Sequence, residues 1–305
     1  MISFDVENNV GECEKLWNNF SNNSNMFDLW EYRKCFYDEN FFEPHFIIGK
    51  KENKTIGVIP LWKVLNGEYY EFFGGDFTER NKFFVKDDST IPKFIEQLPK
   101  NTHLAYIDND EAVKANPLDM AQITKRYYLD LEEHGYSVEK YLNSFSKKHK
   151  KNVLREIRAL SKFNLKVVHN RIDDFDAMVQ LNKSRFGKDS FFAEESFVKS
   201  FKKLIETAKK RKELHLISIE YENKVVAVDL ALKYNDEYHV LMGGNDYKVK
   251  NAGKLLILEH INNAIKQKAR VIDFLSTDSG WKNLWNLKSE PVFAYTNAEK
   301  HFTYD

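Results

Sequence analysis

The chain contains a diverged copy of one of its own segments. His45 to Gly75 reads HFIIGKKENKTIGVIPLWKVLNGEYYEFFGG, and His215 to Gly244 reads HLISIEYENKVVAVDLALKYNDEYHVLMGG. The offset is 170 at the start (215 − 45) and 169 at the end (244 − 75), so the copies differ in length by one residue. Glu52-Asn53-Lys54 aligns with Glu222-Asn223-Lys224, Glu68-Tyr69 with Glu237-Tyr238, and Gly74-Gly75 with Gly243-Gly244. Self-similarity at a fixed spacing means that one supersecondary unit is built twice. Chemistry is expected where one copy holds something the other lacks.

At 305 residues the chain has room for two domains of roughly 100–200 residues each. Its zero formal charge excludes a polyanion binder that works by overall charge, although a local basic patch remains open. Cys13 and Cys35 make neither a metal spacing nor a disulfide framework, and read as buried reduced thiols. The start, MISFDVENNVGECEK, lacks the basic and apolar regions of a signal peptide. No apolar run reaches the ~18 residues of a membrane span. A cytoplasmic protein is expected.

Each copy of the repeat reads as a three-stranded meander. In the second, Leu214–Tyr221, Lys224–Tyr234 and Glu237–Met242 alternate with turns at Glu222-Asn223 and Asn235-Asp236, where Asn tolerates a left-handed backbone. In the first, the strands are Pro44–Lys51, Lys54–Val64 and Glu68–Phe73, and Pro60 predicts an edge or a bulge in the second of them. Apolar spacing predicts helices over Asp173–Phe186, Glu194–Arg211 and Gly253–Lys268, and short strands over Leu165–His169, Arg270–Leu275 and Pro291–Thr296. Trp281–Leu287 reads as a helical turn. The first half follows suit, with strands Ile2–Val6, His103–Asp108 and Thr124–Leu131, helices Gly11–Phe20 and Phe27–Glu39, and a weaker one over Ser89–Gln97. A long helical stretch, Ser137–Phe163, joins the halves and carries the basic run Lys147-Lys148-His149-Lys150-Lys151.

Three divergences between the copies nominate a site. After Gly243-Gly244 the second copy continues through Asn245, Asp246, Tyr247, Lys248, Val249, Lys250, Asn251, Ala252, Gly253 and Lys254 into a long helix. A strand, a basic glycine-containing loop and a helix N-terminus can hold a diphosphate on free N–H groups, or form an ordinary turn. Asp229 lies in the otherwise apolar strand Val225–Leu232, where the first copy has Ile59. It needs a partner, or it serves as general base or anchor for an amine. Asp273 to Lys282 forms a polar loop at a strand end, leading to Trp281 and Trp285, which either bind substrate or pack in the core.

The order β-α-α-β-β-β-α-β-α-β resembles the GNAT superfamily of acyl-CoA N-acyltransferases. The doubling resembles its tandem branch, which includes FemAB-type peptidyl transferases and CelD-like acetyltransferases. Ser146 to Asn152, running into Arg155 and Arg158, resembles the serine-plus-basic helix before the second domain. Gly244-Asn245-Asp246-Tyr247 followed by Gly253 resembles the Gly-Tyr-Asp segment and the helix-opening glycine. Asp273, Asp278 and Lys282 match the family pattern Asp-x-x-x-Gly-Asp-x-x-Tyr-Lys in register, with Trp281 in place of Tyr. The chain departs at Leu255 and Thr277, where small residues are usual.

The resemblance implies an α+β fold of three-layer type: two tandem GNAT-like domains, each a mixed, mostly antiparallel sheet flanked by helices. Residues 1–136 would form a domain with a degenerate donor site, and 137–305 the domain that binds the donor. It implies acyl transfer from acyl-CoA, as co-substrate rather than resident cofactor, to the amine of a small molecule or cell-envelope precursor. Met242, Gly243, Gly244, Lys248, Lys250, Asn251, Ala252, Gly253 and Lys254 would bind the donor, and Asp273, Asp278 and Trp281 the acceptor. Asp229, with His239 as a second candidate base, and Lys282 would carry catalysis; no metal is expected. A FemAB-like transfer from charged tRNA and a non-catalytic binding protein are the alternatives, and the oligomeric state stays open.

Overall fold

The computed structural model describes residues 1–115, 120–276 and 280–298. The chain divides into two compact units, Met1–Arg126 with the segment from Glu290, and Tyr127–Ser289.

The first unit opens with β1 (Ile2–Glu7), α1 (Val10–Phe20) and the short α2 (Trp30–Lys34). The meander follows as β2 (Phe42–Lys51), β3 (Lys54–Val64) and β4 (Tyr69–Phe72). Then come β5 (Phe84–Val85), α3 (Ile91–Ile95), β6 (His103–Ile107), α4 (Asn109–Lys114) and β7 (Ala121–Asp130). Strands β1 to β4 pair in that order, and β5 joins β3. Asn9 caps α1 through the N–H groups of Gly11 and Glu12, and Cys13 and Trp17 from this helix are fully buried. Burial, with Glu7 and Glu12 nearby, pushes the Cys13 thiol up to about 12, so it packs as an inert group. Cys35 is likewise a buried thiol.

The predicted helix Phe27–Glu39 is shorter than expected. A 3-10 turn over Met26–Asp28 precedes α2, because Asn25 and Asp28 form a capping box that restarts the backbone. Pro60 is neither at an edge nor in a bulge. On its second side β3 pairs with β5 at Gly57–Val58 and with β4 from Leu61, and Pro60 sits where the partner changes and no N–H is demanded.

The second unit contains α5 (Val138–Asn143), α6 (Lys147–Ala159), β8 (Lys166–His169), α7 (Asp174–Phe186) and α8 (Glu195–Arg211). Its meander is β9 (Leu214–Tyr221), β10 (Lys224–Tyr234) and β11 (Glu237–Asn245), followed by α9 (Ala252–Lys266) and β12 (Val271–Asp273). The last strand, β13 (Lys288–Thr296), follows a 3-10 turn over Lys282–Trp285. The long helix predicted over Ser137–Phe163 is broken into α5 and α6, because the Ser146 hydroxyl accepts the His149 N–H and caps a new start. Glu222 and Asn223 both have positive φ, as do Glu52 and Asn53, so both first turns of the meanders are the tight mirror-image type.

Within this unit the strands run β12, β11, β10, β9, β8. The β11–β12 pair is parallel, with α9 as crossover, and the others are antiparallel. The strand that completes each unit comes from the far repeat. Asp130, Leu129 and Tyr128 of β7 pair with Val271, Ile272 and Asp273 of β12. Phe293, Tyr295 and Thr296 of β13 pair with Ile107, Leu104 and His103 of β6. Thr124–Leu131 and Pro291–Thr296, read in sequence as the ends of their own halves, are thus exchanged. Tyr141, Tyr238, Ile257, Ile261 and Ile272 lie in the core of the second unit, and Ile59, Leu61, Phe94 and Leu104 in that of the first.

Candidate active site

The site follows from one extra residue in β11. Leu230 faces Met242 and Ala231 faces Val240, so Leu241 has no counterpart in β10 and forms a bulge. On its other side β11 pairs with β12 at three positions, Glu237, Tyr238 and His239. From Val240 on, β11 stays with β10 and has no strand on the β12 side among the described residues. The two strands therefore splay, leaving backbone groups of β11 open to a ligand.

Two glycines follow the bulge, and successive strand residues face opposite sides of the sheet. A Cβ on Gly243 would lie 1.7 Å from Asp229 Oδ1, so the Asp229 carboxylate leans across this glycine. A Cβ on Gly244 would lie 2.7 Å from the Met178 carbonyl of α7, so this glycine lets the helix backbone pack on the strand. Asn182 of α7 is buried and donates to the Gly243 carbonyl at 2.8 Å, while its own Oδ1 accepts the Ser190 hydroxyl at 2.7 Å. The opened strand is thereby pinned to α7.

Asp229 faces Gly243 and Ile217 on its neighbouring strands. Its side chain keeps 23% exposure, and its Oδ2 lies 3.4 Å from Nε2 of the fully buried His260. His260 Nδ1 lies 3.0 Å from the Tyr238 hydroxyl. Burial raises the Tyr238 phenol; burial first, and then His260, His169 and Lys233, together lower His215, next in this chain of groups, to about 4.

Helix α9 begins at Ala252 with Asn251 left-handed (φ 70) and no side-chain cap. Nothing lies within 4 Å of where a Gly253 Cβ would be. The N–H groups of Ala252, Lys254 and Leu255 bond to the Val249 and Asn251 carbonyls, so it is the open space at Gly253, at the positive end of the helix dipole, that suits an anion. Lys248 and Lys250 are exposed around it, whereas Lys254 is ion-paired with Glu156 of α6. About 10 Å of α9 separates Gly253 from His260.

The end of β12 has a bracing role in the structure. Asp273 is fully buried, and its Oδ1 accepts the Leu275 N–H at 2.9 Å, which supports the left-handed Leu275 (φ 60). Lys282 is buried and donates to the carbonyls of Phe274 and Leu275 at 2.6 and 2.9 Å. Trp281, half-buried, packs edge-on against Phe274. Asp278 lies outside the described residues. His239 is sealed in the sheet, with Nε2 at 3.0 Å from Glu237 and 3.8 Å from Asp273. The three side chains bring one donor atom each to within 4.8 Å of one another, a set able to hold a cation.

The structure thus gathers Asp229, Met242, Gly243 and Gly244 at the splay and places Lys248 to Gly253 at the helix mouth. Asp273, Lys282 and His239 sit in the interior beneath the strand ends. Sequence reasoning missed Asn182, Tyr238, His260 and Asn263. The available signal was polar residues at positions of buried periodicity, such as His260 and Asn263 among Leu256, Ile261 and Ala264 of α9.

Comparison with known proteins agrees with this geometry. Residues 147–283 match the family described as Acetyltransferase (GNAT) domain. Across nearly its whole length the chain resembles the crystal structure of FemX (TM-score 0.61, 11% identity, 96% of this chain and 98% of that one). It similarly resembles L-PGS from Bacillus licheniformis (0.61, 10%, 96% and 93%). A tandem GNAT protein from the clavulanic acid biosynthesis pathway is alike at 0.59 and 8%, over 99% and 100%. At these identities the likeness to solved structures shows the fold alone. A sequence search of curated proteins gives no match. The class is that of GNAT folds. More particularly, the fold is that of a tandem GNAT protein, and the match to the GNAT domain falls in the second repeat. Among the described residues no helix is long and apolar enough to cross a membrane.

Proposed function

We propose that the second repeat is an N-acyltransferase site taking its acyl group from acyl-CoA and passing it to an amine. The observation that carries this reading is the Leu241 bulge, which opens the β11 backbone beside Asp229 in the second copy alone. The diphosphate of the donor would rest at the α9 N-terminus around Gly253, with Lys248 and Lys250 adding charge. Its pantetheine amides would pair with the open edge of β11. The amine nitrogen attacks the thioester carbonyl, and N–H groups within Met242–Gly244 stabilise the oxyanion. The carbon–sulfur bond breaks, CoA leaves as the thiolate, and Asp229 takes the amine proton. Partial exposure favours Asp229 as base over the sealed His239.

A calorimetric and thermal-shift titration with acetyl-CoA, longer acyl-CoAs and free CoA tests this. Saturable stabilisation, lost in Gly253→Glu, is the expected result. The open space at Gly253 lets that substitution repel an anion without disturbing the packing. No stabilisation at millimolar acyl-CoA overturns the reading.

A FemAB-like donor, charged tRNA, is favoured by one feature. Helix α6 presents Lys147, Lys148, Lys151, Arg155 and Arg158 to solvent, a row suited to phosphates. Salt-dependent tRNA binding that disappears in Lys148→Glu/Lys151→Glu would move this reading to first place. The acceptor is an amine in both.

A further inference from the structure

Behind Asp229 lies a line of polar groups that the proposed reaction does not use. His260 and Asn263 come from α9, Tyr238 from β11 and His215 from β9, and all four are buried. Asn263 Nδ2 lies 3.1 Å from the Tyr238 oxygen and 3.1 Å from His215 Nδ1. The Tyr238 oxygen in turn lies 3.0 Å from His260 Nδ1. His260 Nε2 is sealed from solvent, and Asp229 Oδ2 stands 3.4 Å away.

Counting protons along this line fixes its direction. An amide nitrogen carries two hydrogens, and Asn263 spends one on His215 and the other on the Tyr238 oxygen. That oxygen, already an acceptor, directs its own proton to His260 Nδ1. Nδ1 is then an acceptor and the ring proton sits on Nε2, 3.4 Å from Asp229 Oδ2 but outside hydrogen-bond geometry in this structure. With the Asn263 amide donating to both neighbours, the line runs from Asn263 through Tyr238 to His260 Nδ1 and selects the Nε2–H tautomer. Among the described residues, the titratable groups facing His260 are Asp229 from β10, Tyr238 from β11 and His215 from β9. None of them lends His260 a second carboxylate.

The opposite side of Asp229 is equally constrained. Its Oδ1 overlies Gly243, in space that any side chain at that position would occupy. One carboxylate oxygen is therefore directed to the splay over a glycine, and the other to an imidazole in the core.

We propose that His260 is a positioning residue. A small turn of its ring lets Nε2 donate to Asp229 and hold that carboxylate over Gly243, with Tyr238 and Asn263 fixing its tautomer. The inference rests on Asp229 as the base of the proposed reaction, but the hydrogen-bond line itself does not. Losing the donor frees the Asp229 carboxylate to rotate off Gly243. Tyr238→Phe removes the proton that Nδ1 accepts and frees the ring to change tautomer without emptying the core.

The experiment has two arms on the full chain. In the first, the imidazole nitrogens of 15N-histidine-labelled protein are followed by NMR from pH 4 to 9, in wild type, Asp229→Asn and Tyr238→Phe. The expected result is a pure Nε2–H tautomer for His260 in wild type, an altered titration in Asp229→Asn, and a tautomer mixture in Tyr238→Phe. An Nδ1–H tautomer, or a titration unchanged in Asp229→Asn, overturns the proposal. In the second, steady-state acyl transfer is compared for wild type and His260→Gln. The expected result is a kcat lower by at least tenfold with KM for acyl-CoA within twofold. An unchanged kcat, or a KM that rises as kcat falls, overturns the positioning role. The two failures separate. Absence of CoA binding and of turnover sinks the acyltransferase reading alone, whereas the tautomer and its response to residue 229 decide the line.

Discussion

The two copies of the meander start from similar sequences and end in opposite states. In the first, β3 and β4 pair without a bulge, Leu61 opposite Phe72 through Val64 opposite Tyr69. The space beside β4 is filled by the chain itself. Asn81 bonds to the carbonyls of Ala105 and Tyr106 at the end of β6, through Nδ2 at 2.8 Å and its backbone N–H at 2.9 Å. The buried Arg33 bonds to the carbonyls of Phe27, Phe73 and Arg80 and to the side chains of Thr78 and Asn81. Burial lowers this guanidinium to about 9, with Asp28 and Asp108 acting against the fall. In the second copy the bulge parts the strands, no arginine fills the gap among the described residues, and Asp229 takes the place of Ile59. One copy spends its polar groups on closing the fold, and the other leaves them for a ligand.

The comparison can be broken in several places. On the acyltransferase reading, Asp229→Asn lowers kcat by about 10²–10⁴-fold, with little change in melting temperature. Steady-state turnover against thermal unfolding checks it, and equal losses in both would make Asp229 a structural group. Arg33→Met is the mirror case. It strands several buried acceptors and costs about 3–5 kcal/mol in urea unfolding, while binding at the second repeat persists.

Smaller effects come from the aligned glycines. Gly74 has φ 110, with Arg33 and Thr78 side chains beneath 3 Å of an added Cβ, so Gly74→Ala costs about 1–3 kcal/mol. Gly243 is needed because Asp229 occupies its side-chain space. Gly243→Ala is therefore destabilising alone and much less so in an Asp229→Ala background. A double-mutant cycle that shows simple additivity would refute this account.

The smallest effect is on pH dependence. Burial lowers His103 in the first unit and His215 in the second to about 4. The unfolded chain takes these protons near its ordinary value of about 6.5, and the folded chain only near 4. Stability is thus intact above about 6.5 and falls as pH drops from there toward 4. His103→Gln and His215→Gln should each flatten the dependence of melting temperature on pH. An unchanged slope in both variants would show that neither imidazole is held neutral by the fold.

Much of the architecture was legible because its causes are local. Paired positive-φ residues at Glu52-Asn53 and Glu222-Asn223 fix the turns, and period-3.6 apolar faces fix α7, α8 and α9 to within a residue or two at each end. The glycine pair and Asp229 also stood out, since an acid in an apolar strand is visible without coordinates. His260 did not, because a histidine on a buried helix face acquires a role only from what lies across the sheet.

The sequence by itself determined that one unit is built twice and that the copies differ by a single residue in length. It did not determine where that residue went. The second turn spans four residues in the first copy, Leu65 to Glu68, and two in the second, Asn235 and Asp236. The second copy therefore loses two residues in its turn and regains one at the Leu241 bulge, for a net difference of one. Only the tertiary structure decided this, because a bulge is a property of register between strands rather than of either strand alone. The same holds for β7 and β13, which complete the sheets of the opposite repeats: strand propensity is written locally, but a strand's partner is chosen by the edge it meets.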